Sequence, residues 1–474
     1  MPYWPRDGRS LGFPDGHILH DIHTRSRARR QYRGITIMKQ EFLAKAETGD
    51  LVIGIVGLGY VGLPLAEAYV AQNTRVIGYD ISEKRAAQLN AGESGMKHIA
   101  DSRVQEMLDK ALFKATADPA DLKEADAILI AVPTPLDIHH QPDLSYVVST
   151  CETLAKVLRK GQLVVLESTT YPGTTEEVMK PILETSGLKG GEDFALAYSP
   201  EREDPGNKNF ETATIPKVVG ADSEDGRAMA KATYDIIVDT VMVSNARTAE
   251  ATKLVENIYR WINIAAVNEM KVIFEAMDID IWEVIDAAKT KPFGFQAFYP
   301  GPGVGGHCIR IDPYYLSYKA REHGLSTHFI ELAGDINTNM PRRIVRRLLE
   351  EMSLKQKKAL AGSKILLVGL AYKADIDDMR ESPSLELIDI LKEHGAHVSY
   401  YDPMIPEIPT TREHPEFAGM TSVDDFSGFD AAVIATAHTG VDYTALCKAI
   451  PLVVDTRNAT SDIIADFPDT IVKA

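Results

Sequence analysis

Glycine crowds the approach to one thiol. In Gly301-Pro302-Gly303-Val304-Gly305-Gly306-His307-Cys308, four of the six residues ahead of His307 are glycine. Glycine at that density is entropically costly and marks backbone that runs close to a ligand or takes positive φ. A free thiol, with a pKa of about 8.5, is mostly protonated at neutral pH, yet it is intrinsically nucleophilic, and a nearby cation raises its thiolate fraction. An isolated cysteine is ordinarily an inert core residue. The loop points Cys308 to chemistry instead, whereas Cys151 and Cys447 sit in helical patterns and are expected to be inert. The three lie far apart with no C-x-x-C pair, so neither a zinc site nor a redox dithiol is expected. His307 is read as structural, because adjacent side chains on an extended loop point apart. Asp312 either orients a water or hydroxyl or caps a turn ahead of Pro313. Lys253 and Asn257, at i and i+4 of a helical run, set a cation and an amide on one face. Such a pair can stabilise an oxyanion, or it can belong to a solvated face.

A second constellation opens the first regular pattern. The apolar run Val52–Val56 enters Gly57-Leu58-Gly59-Tyr60-Val61-Gly62, and helix-forming residues follow from Leu65. The first glycine of such a turn permits the bend, the second admits a pyrophosphate to the backbone, and the third lets helix and strand pack. The ligand's negative charge then faces a helix N-terminus. The next apolar run ends in Asp80, eighteen residues past Gly62, against about 20 expected for the acid that binds a ribose. That acid repels a 2′-phosphate, so NAD is expected rather than NADP. Arg85 could add a phosphate contact or lie on the solvated start of the next helix.

These residues need a frame. Strands are predicted at Val52–Val56, Arg75–Tyr79, Ala127–Val132, Gln162–Leu166, Ala195–Tyr198 and Lys217–Val219, with helical runs between most of them, which argues for a parallel sheet covered on both faces. From Ala246 to Lys289 there is neither glycine nor proline, and apolar residues recur at helical spacing, giving one long helix or two in series. A Gly/Pro-dense loop over Pro292–Pro313 and further helix to about Leu354 follow. Alternation resumes at Ile365–Val368, a helix near Ser384–His394, and strands near His397–Tyr401, Ala431–Ala435 and Leu452–Val454. The fold class is therefore α/β: two Rossmann-like doubly wound domains joined by a central long-helix domain. The divisions expected are an extension with a lead-in helix over 1–50, a dinucleotide domain over 51–245, a helical dimerisation domain carrying the cysteine loop over 246–355, and a C-terminal α/β domain over 356–474. Residues up to about Ile37, with Arg25, Arg27, Arg29, Arg30 and Arg33, read as a disordered arm or the product of an upstream start codon.

Composition agrees with this scale: 474 residues suggest about three domains. A formal net charge of -17 argues against nucleic acid as a partner. No run approaches the roughly 18 apolar residues of a membrane span, and the N-terminus lacks the apolar region of a secretory signal, so the cytoplasm is expected.

Six motifs then fall in a recognisable order: Gly57–Gly62, Glu167-Ser168-Thr169-Thr170-Tyr171-Pro172-Gly173-Thr174, Ser199-Pro200-Glu201-Arg202, the Lys253/Asn257 helix, Gly301–Asp312, and Gly369-Leu370-Ala371-Tyr372-Lys373 through Asp377-Asp378-Met379-Arg380-Glu381-Ser382-Pro383. From about Leu51 to Ala474 the chain resembles the UDP-sugar 6-dehydrogenases. Ser199–Gly206 and Gly306–Tyr315 look like the UDP-N-acetylhexosamine branch. The UDP-glucose branch carries S-P-E-F-L-R-E-G and a C-L-P-K-D run, where this chain has Pro205 in place of a second glutamate and Ile311 in place of the lysine. UDP-glucose is therefore disfavoured; UDP-N-acetylglucosamine is the first expectation and its manno epimer the second, because Ser199–Gly206 looks most like the gluco-specific enzymes.

The resemblance implies a four-electron oxidation of the exocyclic primary alcohol to a carboxylate with two NAD in succession, Cys308 holding a thiohemiacetal and then a thioester. It assigns oxyanion stabilisation to Lys253 and Asn257, water to Thr169 and Asp312, and acid/base work to Glu201, leaving the base for the alcohol open. Gly57, Gly59, Tyr60, Val61, Gly62, Asp80, Arg85, Thr134 and Thr169 are expected around the cofactor. Glu201, Arg202, Lys253, Asn257, Gly301, Gly303, Gly305, Gly306, Lys373 and Arg380 are expected around the UDP-sugar. Lys373 and Arg380 serve the diphosphate or a subunit interface, and the long helix builds a homodimer. No metal or second NAD is expected, since Gly369-Leu370-Ala371 lacks the full glycine pattern. A two-electron hydroxyacid dehydrogenase and an inactive nucleotide-sugar sensor are the rivals. The first would need neither Cys308 nor a third domain, and the second would not need the Cys308, Lys253, Asn257 and Asp312 set.

Overall fold

The computed structural model describes residues 39–474 except 97–98, 138, 140, 203–213 and 412–413, and at His307 and Cys308 it describes the backbone. The expected N-terminal arm, and Pro205 with the rest of Glu203–Gly206, lie outside the described residues.

Eight strands form the first sheet: β1 Val52–Val56, β2 Arg75–Tyr79, β3 Phe113–Thr116, β4 Ala127–Ile130, β5 Leu163–Leu166, β6 Ala195–Tyr198, β7 Lys217–Ala221 and β8 Thr240–Val243. Their order is β3-β2-β1-β4-β5-β6-β7-β8, parallel throughout except for the antiparallel pair β6–β7. Every residue of β4 and β5 is buried, which is why both read as unbroken apolar runs rather than alternating ones. The order reverses between β1 and β4, and ligands of open α/β sheets bind in the crevice at such a point.

The glycine- and proline-free run forms two helices in series, Ala246–Ala276 and Ile281–Ala288. The long one is started by Asn245, whose side chain accepts the Thr248 N–H at 2.8 Å. Its buried stripe includes Ala246, Ala249, Glu250, Lys253, Leu254, Asn257, Ile258 and Trp261. Helices His307–Glu322 and His328–Glu351 pack on it, through Leu254, Ile258, Ile311, Tyr315 and Ile330 at one level and Trp261, Ala265, Val304 and Ala333 at another.

The second sheet holds β9 Lys364–Val368, β10 His397–Tyr401, β11 Ala431–Ile434, β12 Val453–Asp455 and β13 Ile471–Lys473, all parallel, in the order β10-β9-β11-β12-β13. It repeats the first. Gly57 N–H donates to Tyr79 O and Gly369 N–H to Tyr401 O, both at 2.8 Å. Asp80 Oδ2 accepts the Leu58 N–H at 3.1 Å, and Asp402 Oδ2 accepts the Leu370 N–H at 2.6 Å.

The sequence reading is corrected at several points. The edge strands β3, β8 and β13 were not predicted, and β4 stops before Val132. The glycine loop ends sooner than expected: helix begins at His307 and runs through Pro313, so His307 and Cys308 are not on an extended loop and Asp312 is not a turn cap. Among the described residues no helix is long and apolar enough to cross a membrane.

Candidate active site

At the end of β1 the turn is shaped by its own packing at two glycines and not at the third. Gly57 takes φ +91°, and a Cβ there would stand 2.6 Å from the Ala131 carbonyl oxygen; a Cβ on Gly62 would stand 1.8 Å from the Gly57 oxygen. Gly59 is exposed, and a Cβ there would meet nothing within 4 Å. Protein packing therefore does not require the middle glycine. Asp80 closes the turn from β2, its Oδ1 accepting the Ser82 N–H at 3.0 Å and its Oδ2 that of Leu58. Arg85 lies in the first turn of the next helix, as expected, but its side chain is partly buried and bonded rather than solvated. Its Nε and Nη2 donate to the Leu58 oxygen at 3.0 and 2.9 Å and its Nη1 to the Ser94 oxygen, and burial holds its pKa below the usual value.

The crevice continues into the helical domain. Tyr315, fully buried, donates its hydroxyl to the Thr134 carbonyl oxygen at 2.6 Å, tying the loop after β4 to the helix that carries Cys308. Thr169, partly buried, follows β5. The loop beyond it is held by buried Glu250 of the long helix, which accepts the Thr175 N–H at 2.9 Å and the Gly173 N–H at 2.5 Å. One helical turn along, Lys253 and Asn257 are also buried, which overturns the solvated-face alternative. Lys253 Nζ donates to the Glu201 carbonyl oxygen, and Asn257 Nδ2 donates to Asp312 Oδ2 at 2.5 Å. Burial pushes the Asp312 carboxyl up to about 7, against the nearby Lys253 ammonium and the Asn257 hydrogen bond. Helical spacing puts Cys308 and Asp312 at i and i+4, on one face of their helix. The carboxyl, bonded by the buried amide, thus lies one turn from the cysteine along its helix.

Glu201 is reached from the other side. Lys217, buried at the start of β7, donates to Glu167 Oε2 and stands 3.8 Å from Glu201 Oε2. Glu167 also accepts from Tyr234 Oη, and burial pushes its carboxyl up while Lys217 opposes. Arg202 forks onto Glu256, with Nη2 at 2.6 Å and Nε at 3.3 Å, beside Asn257 on the long helix.

The glycine loop is packed mainly by the C-terminal domain. Gly301 N–H donates to Asn268 Oδ1 at 3.0 Å, and a Cβ there would meet Arg457 Nη1 at 2.3 Å. A Cβ on Gly305 would stand 2.5 Å from Tyr372 Cβ, and Gly303 and Gly306 have positive φ with Pro383 and Tyr372 close by. These glycines let two domains approach, and Gly303 and Gly306 bear out the expectation of positive φ. Lys373 is partly buried on the same segment. Arg380 pairs with Asp378 through Nη2 at 2.6 Å, and its guanidinium lies 4.3 Å from the centroid of the Tyr60 ring. It therefore caps the dinucleotide turn from the far domain.

Residues 51–238, 247–339 and 366–462 match, in order, the NAD binding, central and UDP binding domains of the UDP-glucose/GDP-mannose dehydrogenase family. The UDP-N-acetyl-D-glucosamine 6-dehydrogenase of Pseudomonas aeruginosa is 37% identical over 395 residues, covering 82% of this chain and 91% of that one. The chain belongs to this dehydrogenase family. The UDP-N-acetyl-D-mannosamine dehydrogenase of Pyrococcus horikoshii is 35% identical over 420 residues, 86% of this chain and 95% of that one. The solved structure of the UDP-D-ManNAc dehydrogenase from Pyrococcus horikoshii superposes with TM-score 0.78 at 34% identity, covering 86% of this chain and 96% of that chain.

As in the family, the cofactor is NAD. The turn fits it: Gly59 leaves N–H groups at a helix start open to a diphosphate, and Asp80 suits ribose hydroxyls while repelling a 2′-phosphate. The repeated turn in the UDP-binding domain is finished differently. Buried His438 accepts the Asp375 N–H at Nδ1, 3.0 Å away, so Nε2 carries the proton that faces Asp402 Oδ2 at 3.1 Å. Burial works to raise the Asp402 carboxyl, yet its bonds with His438, Ala371 and Leu370 hold it below the usual range. Cys151 and Cys447 are buried, their thiols pushed up to about 12 and about 11. Glu167, Lys217, Glu250, Asn268 and Arg457 are site-supporting residues the sequence reading missed. The signal for Glu250 was a carboxylate on the same helical stripe as Lys253.

Proposed function

We propose that this dehydrogenase oxidises a UDP-N-acetylhexosamine, UDP-N-acetylglucosamine ahead of its manno epimer, at the exocyclic primary alcohol to the uronate. Its gluco-type Ser199-Pro200-Glu201-Arg202 motif supports that order, and relatives named for either epimer lie at similar identity. The observation that carries the reading is the buried set of Lys253, Asn257 and Asp312, in which Asn257 bonds Asp312 and Asp312 lies one helical turn from Cys308.

Bound NAD supplies the hydride acceptor for both oxidations. The chain's residues do the rest. The Cys308 sulfur adds to the first-formed aldehyde, giving a thiohemiacetal, and oxidation of that adduct gives a thioester. Water then cleaves the C–S bond, releasing carboxylate and thiol. Each tetrahedral species carries an oxyanion, for which Lys253 and Asn257 are donors; loss of one such donor typically costs about 2.7–4 kcal/mol of transition-state stabilisation. Asp312, with a pKa near 7, accepts a proton from the attacking water, and Thr169 helps hold that water. Glu201, kept near the Lys217 ammonium, is the second acid/base group. In the C-terminal domain Lys373 and Arg457 serve the UDP diphosphate, and Arg380 serves the dinucleotide side of the cleft. The exposed Val255, Tyr259, Met270 and Ile273 of the long helix form the homodimer face.

The test is a panel of UDP-sugars with NAD, following NADH and product together. Two NADH per sugar and a uronate are expected; one NADH per sugar would establish a two-electron dehydrogenase instead. Cys308→Ser should form no net acid, and undiminished uronate from that variant would reject the thioester.

A further inference from the structure

One strip of the C-terminal domain, residues 372–386, grips the start of the Cys308 helix. Besides Tyr372, it brings Pro383 Cδ and the Glu381 oxygen to 2.9 and 3.1 Å from where a Gly305 Cβ would stand. The Gly306 N–H donates to the Arg380 oxygen at 3.2 Å. Glu381 sits at φ +52°, in the left-handed region that non-glycine residues occupy only when their surroundings enforce it. Two residues beyond Cys308, Arg310 reaches back to the strip. Its Nε lies 3.4 Å from Glu381 Oε2 and its Nη2 3.6 Å from Glu386 Oε2, all three side chains partly buried. Burial raises the Glu386 carboxyl, and Arg310 is the foremost cation opposing that rise.

Arg310 thus stands at ion-pair distance from two carboxylates of the strip at once, an electrostatic tie between the strip and the helix. Any displacement of the strip therefore moves Glu381 and Glu386, and Arg310 with them. Two positions on, Arg310 lies on a different face of the helix from residue 308, so its influence runs through where the strip holds the start of that helix. The strip also carries Lys373, the residue that the functional reading above gives to the UDP diphosphate, so on that reading bound nucleotide meets the same length of chain.

We propose that Arg310 is a positioning residue that couples occupancy of the UDP site to the reactivity of the Cys308 thiol. The proposal rests on the functional reading above, in which Cys308 is the nucleophile.

The test is the rate of iodoacetamide labelling at residue 308 in the full chain, with and without saturating UDP, with Cys308→Ser as the blank. In the wild-type protein UDP should change the rate by about five-fold or more, the lower end of ordinary coupling between sites. In Arg310→Ala the response should fall below about two-fold while calorimetry shows UDP binding retained, with kcat reduced and KM for NAD unchanged. Arg310→Lys should restore part of the response. Glu386→Gln should weaken it and add nothing when combined with Arg310→Ala. A wild-type rate indifferent to UDP, an Arg310→Ala variant that responds as fully as wild type, or simple additivity of the two changes would overturn the coupling. Labelling needs no turnover, so absence of UDP-sugar oxidation by wild type would overturn the functional reading separately.

Discussion

Asn257 Nδ2 meets Asp312 Oδ2 across 2.5 Å, joining the long helix to the helix that carries Cys308. The amide fixes one carboxyl oxygen and the fold buries both, so proton affinity at Asp312 is set by the packing of these two helices.

The pH dependence follows with a definite sign. Because burial raises Asp312 to about 7, the folded chain holds this proton to higher pH than the unfolded chain, whose carboxyl titrates at about 3.9. Its contribution to stability is full below the unfolded value and is lost as pH rises through about 7. Asp312→Asn should therefore gain relative to wild type on going from about pH 5 to about pH 8, by up to a few kcal/mol in thermal unfolding. Wild-type kcat should climb to a plateau above about pH 7, and the variant should lack that limb.

The glycines of the first turn separate binding from folding. Gly59→Ala meets open space, so stability should stay within about 0.5 kcal/mol while KM for NAD rises sharply. Gly62→Ala drives a methyl into the Gly57 oxygen and should cost about 3 kcal/mol or more, read by denaturant titration.

Lys217 is buried against Glu167, so Lys217→Met strands a carboxylate and should destabilise by about 3–5 kcal/mol. Adding Glu167→Gln should recover most of that loss. Activity should not recover with it, because Glu201 still lacks its cation. Denaturation and kcat measured on the same pair decide the point.

Val255, Tyr259, Met270 and Ile273 leave an apolar stripe on the long helix. Ile273→Glu should shift the protein from dimer to monomer in light scattering, and a wild-type protein that is already monomeric would remove this face from the proposal.

Much of the frame was legible because its signals are local. Strand β1, the glycine turn and Asp80 are close in sequence, and burial on both faces made β4 and β5 continuous apolar runs. The edge strands Phe113–Thr116 and Thr240–Val243 were not legible: each has four residues, the first broken by Lys114 and the second left partly or fully exposed. Pro313 misled the reading of the cysteine loop, because a proline inside a helix is locally unfavourable and only the tertiary packing of Ile311 and Tyr315 sustains the helix through it. The grip of Tyr372, Pro383 and Arg457 on the glycine loop could not be read at all, since it joins residues far apart along the chain. A closer inspection of the long helix would have placed Lys253 and Asn257 inward, because they share a stripe with Ala249, Leu254, Ile258 and Trp261.

His438 stoppers the second copy of the nucleotide frame, its Nε2 3.1 Å from Asp402 Oδ2, whereas the counterpart Asp80 accepts the backbone N–H groups of Leu58 and Ser82. The four-electron oxidation proposed above would then run through a single dinucleotide seat, with spent coenzyme leaving before fresh coenzyme arrives. In that interval a free aldehyde would hydrate or diffuse away. On that proposal, an imidazole in the second copy of the frame makes a covalent tether to the protein a requirement of the chemistry rather than a refinement of it.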